Sequence, residues 1–516
     1  MIYTMSLTDS QYEDIDKKIR NTGFFSEYLP PCFRLDTKVF LHVPQENCDL
    51  IQPYSFNMSR FNQNDSRRII SIPEIGAYAI THLYMKETHI IKDLIELTDG
   101  NTCSFSPILD KNYRIVRHEE VYDGEVTTHA DLSNYVSNLA SKIIKSSGAK
   151  KILKLDISNF YSSFYIHMIP AIMLGVEEAN NQYQHMRRRE AVSDIYEKYR
   201  KLDSVYRRQN LERTNGLLVG PLSSRIIAEG MLTRIDRDLH NEELNYTRYV
   251  DDYDVYLYED NEKQVISKFI KVLKKYGFSL NYEKIKIVDF PYYVAENLGK
   301  IFKKYRNSSD INIETSPSDL MDLFNTFFNL ETAGIEGAVR YLLKCIEANP
   351  IRLEDEENQE LYRAYLFTIL ANNDRSLVKA CSLILKSAEQ ECLKEDEKQQ
   401  IIKMLLMQLT EEHDLEVLWL LYLLLETQDP ITMDTNVVDK IVQGKNELAQ
   451  IMLLRKGVLT EEQKQLLAEK STSWILAYEL FCEGMLAEDE IASKLILDKN
   501  LVMYRKMKEK QIHFCY

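Results

Sequence analysis

Two adjacent carboxylates, Asp251 and Asp252, stand inside the run RYVDDYDVYLYED, Arg248 to Asp260. Around them Tyr246, Tyr249, Tyr253, Val255, Tyr256, Leu257 and Tyr258 are strand formers, whereas aspartate is depleted from strands. Two unpaired negative charges side by side cost free energy if they are buried. A chain that breaks its own local rule tends to do so at a functional site. Two short strands meeting at the aspartates in a tight hairpin satisfy both patterns.

The length of 516 residues suggests about three domains of roughly 150 residues each. An apolar fraction of 45% excludes general disorder. No stretch approaches the ~18 apolar residues of a membrane span; the longest run, Val417 to Leu425, reads as a buried helix. The first residues, MIYTMSLTDSQYEDIDKK, carry acids where a signal peptide needs a basic start, so a soluble cytoplasmic protein is expected. The eight cysteines form no C-x-x-C pair and the ten histidines no zinc spacing; they read as free, mostly buried thiols.

The net charge of −15 argues against a nucleic-acid partner, but its distribution softens that. Residues 301–516 hold 25 Lys/Arg against 37 Asp/Glu, leaving the first 300 residues close to neutral. Within those lies a basic run, Arg187 to Arg213, with nine Lys/Arg. It could follow a phosphate backbone, although a solvated amphipathic helix explains the charges alone more simply.

Up to about residue 300, strand-like and helix-like segments alternate: AKKILKLDISNFY as a strand leading out, LSSRIIAEGMLTRIDRDL as a helix, and Glu262 to Tyr276 as a helix stopped by Gly277. Near RNSSDINIETSPSDL the pattern changes, with Pro317 poised to start a helix. Beyond it, Leu-rich helices recur about every twenty residues, fitting either stacked helical pairs or one irregular bundle. Asp156 ends the apolar run Ile152 to Leu155. If that strand lies beside the hairpin, three carboxylates converge with no basic residue nearby in sequence. Like charges so close call for a cation. Hard oxygen ligands with open positions suit Mg²⁺, and two such ions can serve in-line displacement at a phosphate.

Tyr249–Asp252, YVDD, resembles the catalytic box of reverse transcriptases, and Asp156 with the aromatic run after it resembles the preceding aspartate motif. TNGLLVGPLSSRIIAE, Thr214 to Glu229, is similar to the family's Gly-containing motif. GFSLNYEKIKI, Gly277 to Ile287, looks like its Leu-Asn-x-x-Lys element. The resemblance implies that Asp156, Asp251 and Asp252 hold two Mg²⁺ ions, with the Ile157 carbonyl as a further ligand. It places Tyr161 under the sugar, where it excludes a 2′-hydroxyl, so that the product is DNA. Gly220 would let backbone approach the nucleotide, Lys284 would donate a proton to pyrophosphate (Lys286 is the alternative), and Arg68, rather than Arg67, would grip the triphosphate.

The sequence departs from the family at LVGP, where Val219 replaces a polar side chain, and nothing after about residue 300 looks like an RNase H, a maturase or a three-helix thumb. The layout resembles the bacterial abortive-infection reverse transcriptases. The implied fold is α+β: an N-terminal extension (1–60), fingers and palm (61–305), and an all-α HEAT-like helical-repeat domain (306–516) in place of the usual thumb. The implied activity is antiphage DNA synthesis from dNTPs without a template, primed by a tyrosine of the protein and leaving DNA covalently attached, in a homo-oligomer (trimer or hexamer). With 32 tyrosines the sequence selects no primer. An RNA-templated enzyme like those of retrons, and a helical scaffold or sensor whose palm only binds nucleotides, remain as alternatives.

Overall fold

In the computed structural model the described residues are 7–41, 43, 48–58, 67–110, 114–115, 134–293, 298–305, 313–314, 316–353, 356–390, 392–427 and 433–516. The start of the expected fingers and palm (residues 61–66) and much of the stretch 306–315 lie outside them.

The alternating half builds a four-stranded antiparallel sheet from β3 (Lys151–Asp156), β4 (Tyr246–Tyr249), β5 (Asp252–Leu257) and β6 (Lys286–Asp289), in the order β4-β5-β3-β6. Earlier in the chain β1 (Tyr54–Asn57) and β2 (Ile69–Ile72) form a separate two-stranded ribbon. Side chains alternate across a sheet with period two. Leu153, Leu155, Tyr253, Val255 and Leu257 therefore share one face, buried with Ile226, Ile235 and Phe269 of the helices Leu222–Asn241 and Glu262–Lys275. Lys154, Asp156, Asp252 and Asp254 share the other face. This alternation resolves the conflict in the sequence: the large apolar set faces the helices and the acids occupy the opposite face.

From Pro317 onward the described residues are almost wholly helical. Ser316 caps the first of these helices in a capping box and Pro317 occupies its first turn, which suits proline because its missing N–H has no partner there. Pro317–Thr332 packs on Ala338–Ala348 and on Glu356–Asn372. The same next and next-but-one contacts continue through Leu377–Gln390, Glu395–Thr410 and Asp414–Thr427. The apolar run Val417 to Leu425 lies inside the last of these and is buried except for Tyr422. No described helix is long and apolar enough to cross a membrane.

Two cores run through the described residues. Phe24, Phe25, Ile70, Ile72 and Tyr78 share one core with Leu418, Trp474 and Phe514 of the helical region, while a second core gathers the sheet, its helices and the helix Asp9–Arg20. Trp474 packs edge-on to Phe514 at 5.2 Å, and its Nε1 donates to the Ile72 carbonyl at 3.4 Å. Trp419 Nε1 donates to the Tyr28 carbonyl at 2.7 Å. The helical region is thus clamped onto β1, β2 and their flanks. Helical periodicity announces that an apolar face exists but not which element covers it.

Candidate active site

Tyr249 pairs with Asp252 across β4 and β5, so Val250 and Asp251 alone make the turn. Val250 takes a φ of +52°. A β-branched residue there is a true outlier, at a cost on the order of 1–3 kcal/mol, and persists only where the surroundings over-determine it. They do so here. The Val250 amide donates to Ser106 Oγ at 3.1 Å, and its carbonyl accepts from Arg248 Nη1 at 2.9 Å. The next carbonyl, of Asp251, accepts from the Ile157 amide at 3.2 Å.

Arg248 is the residue that sequence reasoning missed. It is fully buried (0% exposed) on β4. Its guanidinium donates to Glu229 at 2.8 and 3.1 Å and to Asp236 at 2.7, 3.0 and 3.2 Å, both buried on the helix Leu222–Asn241. Ser104 Oγ donates to Glu229 at 2.7 Å, and Asn101 Nδ2 to Asp236 at 2.8 Å. The available signal was the pair Glu229 and Asp236, two helical turns apart on one face of an apolar helix. A buried arginine requires such paired acceptors.

The hairpin sets Asp252 directly opposite Asp156 of β3. Carboxylate oxygens of Asp156, Asp251 and Asp252 all lie within 4.8 Å of one another. Burial and then the Asp156 charge raise the Asp251 carboxyl above its ordinary range. Desolvation, then the charge of Asp251 and the contact with Asp156, push Asp252 up to about 7. Asp252 nonetheless keeps access to solvent. This hard, crowded oxygen set fits a divalent cation of the Mg²⁺ type, since a cation between the carboxylates relieves the repulsion that now raises their affinity for protons.

The expected absence of a nearby base does not hold: Lys154 is two residues before Asp156, Arg248 is three before Asp251, and a further lysine approaches in space. Lys284 Nζ stands 3.2 Å from Asp156 Oδ2, and Asn281 Nδ2 donates to the same oxygen at 3.1 Å. Both come from the Leu-Asn-x-x-Lys stretch, held by the Asn281 amide on the Asp156 carbonyl at 2.8 Å. Lys286 instead lies in β6, paired with Lys154.

The remaining expected residues fall as follows. Tyr161 is half-buried beside Phe160, its ring edge-on at 5.6 Å; burial raises its phenol, and Arg225, Asp251 and Glu229 lie within electrostatic range. Arg67 is committed to structure, with Nη1 at 2.9 Å from both oxygens of Glu416 in the helical region. Arg68 is exposed, and its charge acts on Asp251. Gly220 has a φ of +130°, and a Cβ there would meet Ile70 Cγ2 and the Ser71 carbonyl at 3.0 Å. β2 approaches Gly220 closely, joined by the Ser71 amide donating to the Val219 carbonyl at 2.8 Å. Ile157 is buried, and its amide holds the Val250–Asp251 turn.

No protein-family model matches the chain, and neither does any curated protein. Among solved structures it is similar to telomerase from Candida albicans, in complex with a fragment of telomeric RNA. The identity is 11% over 81% of this chain and 66% of that one, with a TM-score of 0.29. It is also similar to apo telomerase from Candida tropicalis, with 12% identity over 73% of this chain and 71% of that one, and a TM-score of 0.29. A likeness of that degree carries no weight for fold or activity.

Proposed function

We propose that this chain is a reverse-transcriptase-like nucleotidyltransferase that makes DNA from dNTPs. The observation that carries the reading is the meeting of Asp156, Asp251 and Asp252 at the end of the antiparallel sheet, with Lys284 beside them. The three carboxylates would hold two Mg²⁺ ions, which when bound neutralise phosphate charge and lower the pKa of an attacking hydroxyl. Lys284 donates a proton to the departing pyrophosphate. Tyr161 blocks a 2′-hydroxyl, and Arg68 receives the triphosphate. In this reading the sheet and its helices are the palm, β1 and β2 belong to the fingers, and the region after Pro317 is a HEAT-like stack in place of a thumb.

The finer reading is an antiphage, abortive-infection polymerase of bacterial cytoplasm, working as a homo-oligomer, without a template, and primed by one of its own tyrosines. The acidic helical region supports it, since negative charge there repels a template–primer duplex. The test is incubation of the purified protein with Mg²⁺ and labelled dNTPs, without template or primer, followed by protease and nuclease treatment. Label that stays with the protein and is shortened by nuclease is expected. Products formed only on added RNA, and complementary to it, would replace this reading with the RNA-templated one.

A further inference from the structure

In the structure the basic run starts at the last residue of one helix, Val176–Arg187, turns through a short tip and continues into a second helix, Asp194–Arg208. The second is amphipathic and buries Tyr196, Tyr199, Leu202 and Tyr206; the first buries none of its residues. Most of the positive charge in the second helix is consumed locally. Arg207 pairs with Asp203 at 2.7 Å and Glu212 at 2.6 Å, Arg208 with Glu212 at 3.6 Å, Lys198 with Asp93 at 2.6 Å, and Arg200 with Glu197. At the tip, Arg187, Arg188 and Arg189 are exposed and make no ion pair among the described residues. The acids nearest in sequence are Glu190, which faces His185 at 3.9 Å, and Asp194.

The tip is held by hydrogen bonds and carries a locally unfavourable backbone. The Glu190 amide donates to the His185 carbonyl at 2.9 Å and the Arg189 amide to that of Met186 at 3.0 Å, the double bond pattern that ends a helix on a left-handed residue. Glycine is usual at that position; here Arg189 occupies it with a φ of +60°. Gln182 Oε1 accepts from the Ser193 amide at 2.8 Å and fixes the return into the second helix. Strain kept at an exposed arginine points to a use for its side chain. Tyr183, 44% exposed, lies one turn before Arg187 on the same face.

We propose that this tip binds a single nucleic-acid strand, with Arg187, Arg188 and Arg189 on phosphates and Tyr183 stacked on a base. Three adjacent unpaired arginines beside an exposed ring, on a chain whose net charge is −15, complement a flexible polyanion that carries aromatic bases. The inference rests on the polymerase reading for one point only, that the strand is one the palm extends or copies.

The test is fluorescence anisotropy with labelled oligo(dT) and oligo(U) across a salt series. The proteins compared are wild type, the triple variant Arg187→Ala/Arg188→Ala/Arg189→Ala, Tyr183→Ala, and Asp251→Asn/Asp252→Asn. The triple variant is expected to bind at least about tenfold more weakly at low salt, with a salt slope reduced by about 2, the value for three single-strand phosphate contacts. The corresponding triple lysine variant should restore the slope, and Tyr183→Ala should weaken binding with the slope unchanged. An unchanged slope in the triple alanine variant would overturn the proposal, and so would competition by poly-glutamate as strong as that by unlabelled oligonucleotide. Normal binding by the Asp251/Asp252 variant is expected, and wild-type protein that binds the oligonucleotide but incorporates no dNTP would count against the polymerase reading alone.

Discussion

Asp156 and Asp252 face one another directly across β3 and β5, a like-charge pair at a register position where opposite charges would stabilise the sheet. The surrounding structure enforces that pairing. β3 is held between β5 and β6, and the turn carrying Asp251 is pinned by Ser106, Arg248 and Ile157. The backbone thus holds the carboxylates together despite their repulsion.

Lys284 and Lys286 separate cleanly under mutation. Lys284→Met removes the only lysine ammonium seen beside Asp156 among the described residues and is expected to lower the nucleotide-incorporation rate by about 10²-fold or more. Lys286→Met, on β6, should stay within about twofold of wild type. Single-turnover rates measure both; equal losses would contradict the assignment.

Arg248→Met leaves Glu229 and Asp236 buried without their cation, which should cost about 3–5 kcal/mol. The urea midpoint should fall accordingly, and the added changes Glu229→Gln and Asp236→Asn should recover part of it. A single variant as stable as wild type would show that the network does not hold the hairpin.

Tyr161→Ala tests the sugar gate. Incorporation of rNTPs relative to dNTPs should rise at least about tenfold, because the half-buried ring no longer fills the space of a 2′-hydroxyl. Competition assays read the ratio, and an unchanged ratio would reduce Tyr161 to a packing residue beside Phe160.

Asp414 supplies a pH prediction. It accepts from the Asn57 amide at 2.9 Å and from Asn57 Nδ2 at 2.8 Å, where β1 meets the helical region. Burial, and then Glu412 and Glu416, raise its carboxyl to about 6. The unfolded group titrates near 3.9, so between about pH 4 and 6 the folded state binds the extra proton, and stability rises as pH falls through that window. Asp414→Asn should flatten this part of the curve and stabilise the protein at pH 7.5 by about 1–2 kcal/mol. Urea midpoints at pH 5, 6 and 7.5 test it; parallel curves for variant and wild type would contradict it.

Much of the site was legible because its parts announce themselves locally. The hairpin follows from strand formers around YVDD, the helix Glu262–Lys275 from its period and Gly277, and Lys284 from its spacing after Asn281. What stayed hidden depends on which surfaces meet. Arg248 reads as one more polar residue until Glu229 and Asp236 are brought against it. Gly220 gives no sign in the sequence that β2 packs against it. Trp474 reads as a helical core residue, and only the fold shows that it closes over Ile72.

The most direct test of the central claim, a divalent-cation nucleotidyl-transfer centre built from Asp156, Asp251 and Asp252, is to measure Mg²⁺ binding by calorimetry together with labelled dNTP incorporation. Wild type and Asp251→Asn/Asp252→Asn would be compared at pH 8. Wild type should bind Mg²⁺ and incorporate label. The variant should lose both, with incorporation down about 10³-fold, while its urea midpoint is no lower, because removing like charges relieves repulsion. Undiminished Mg²⁺ binding or incorporation in the folded variant would contradict the account.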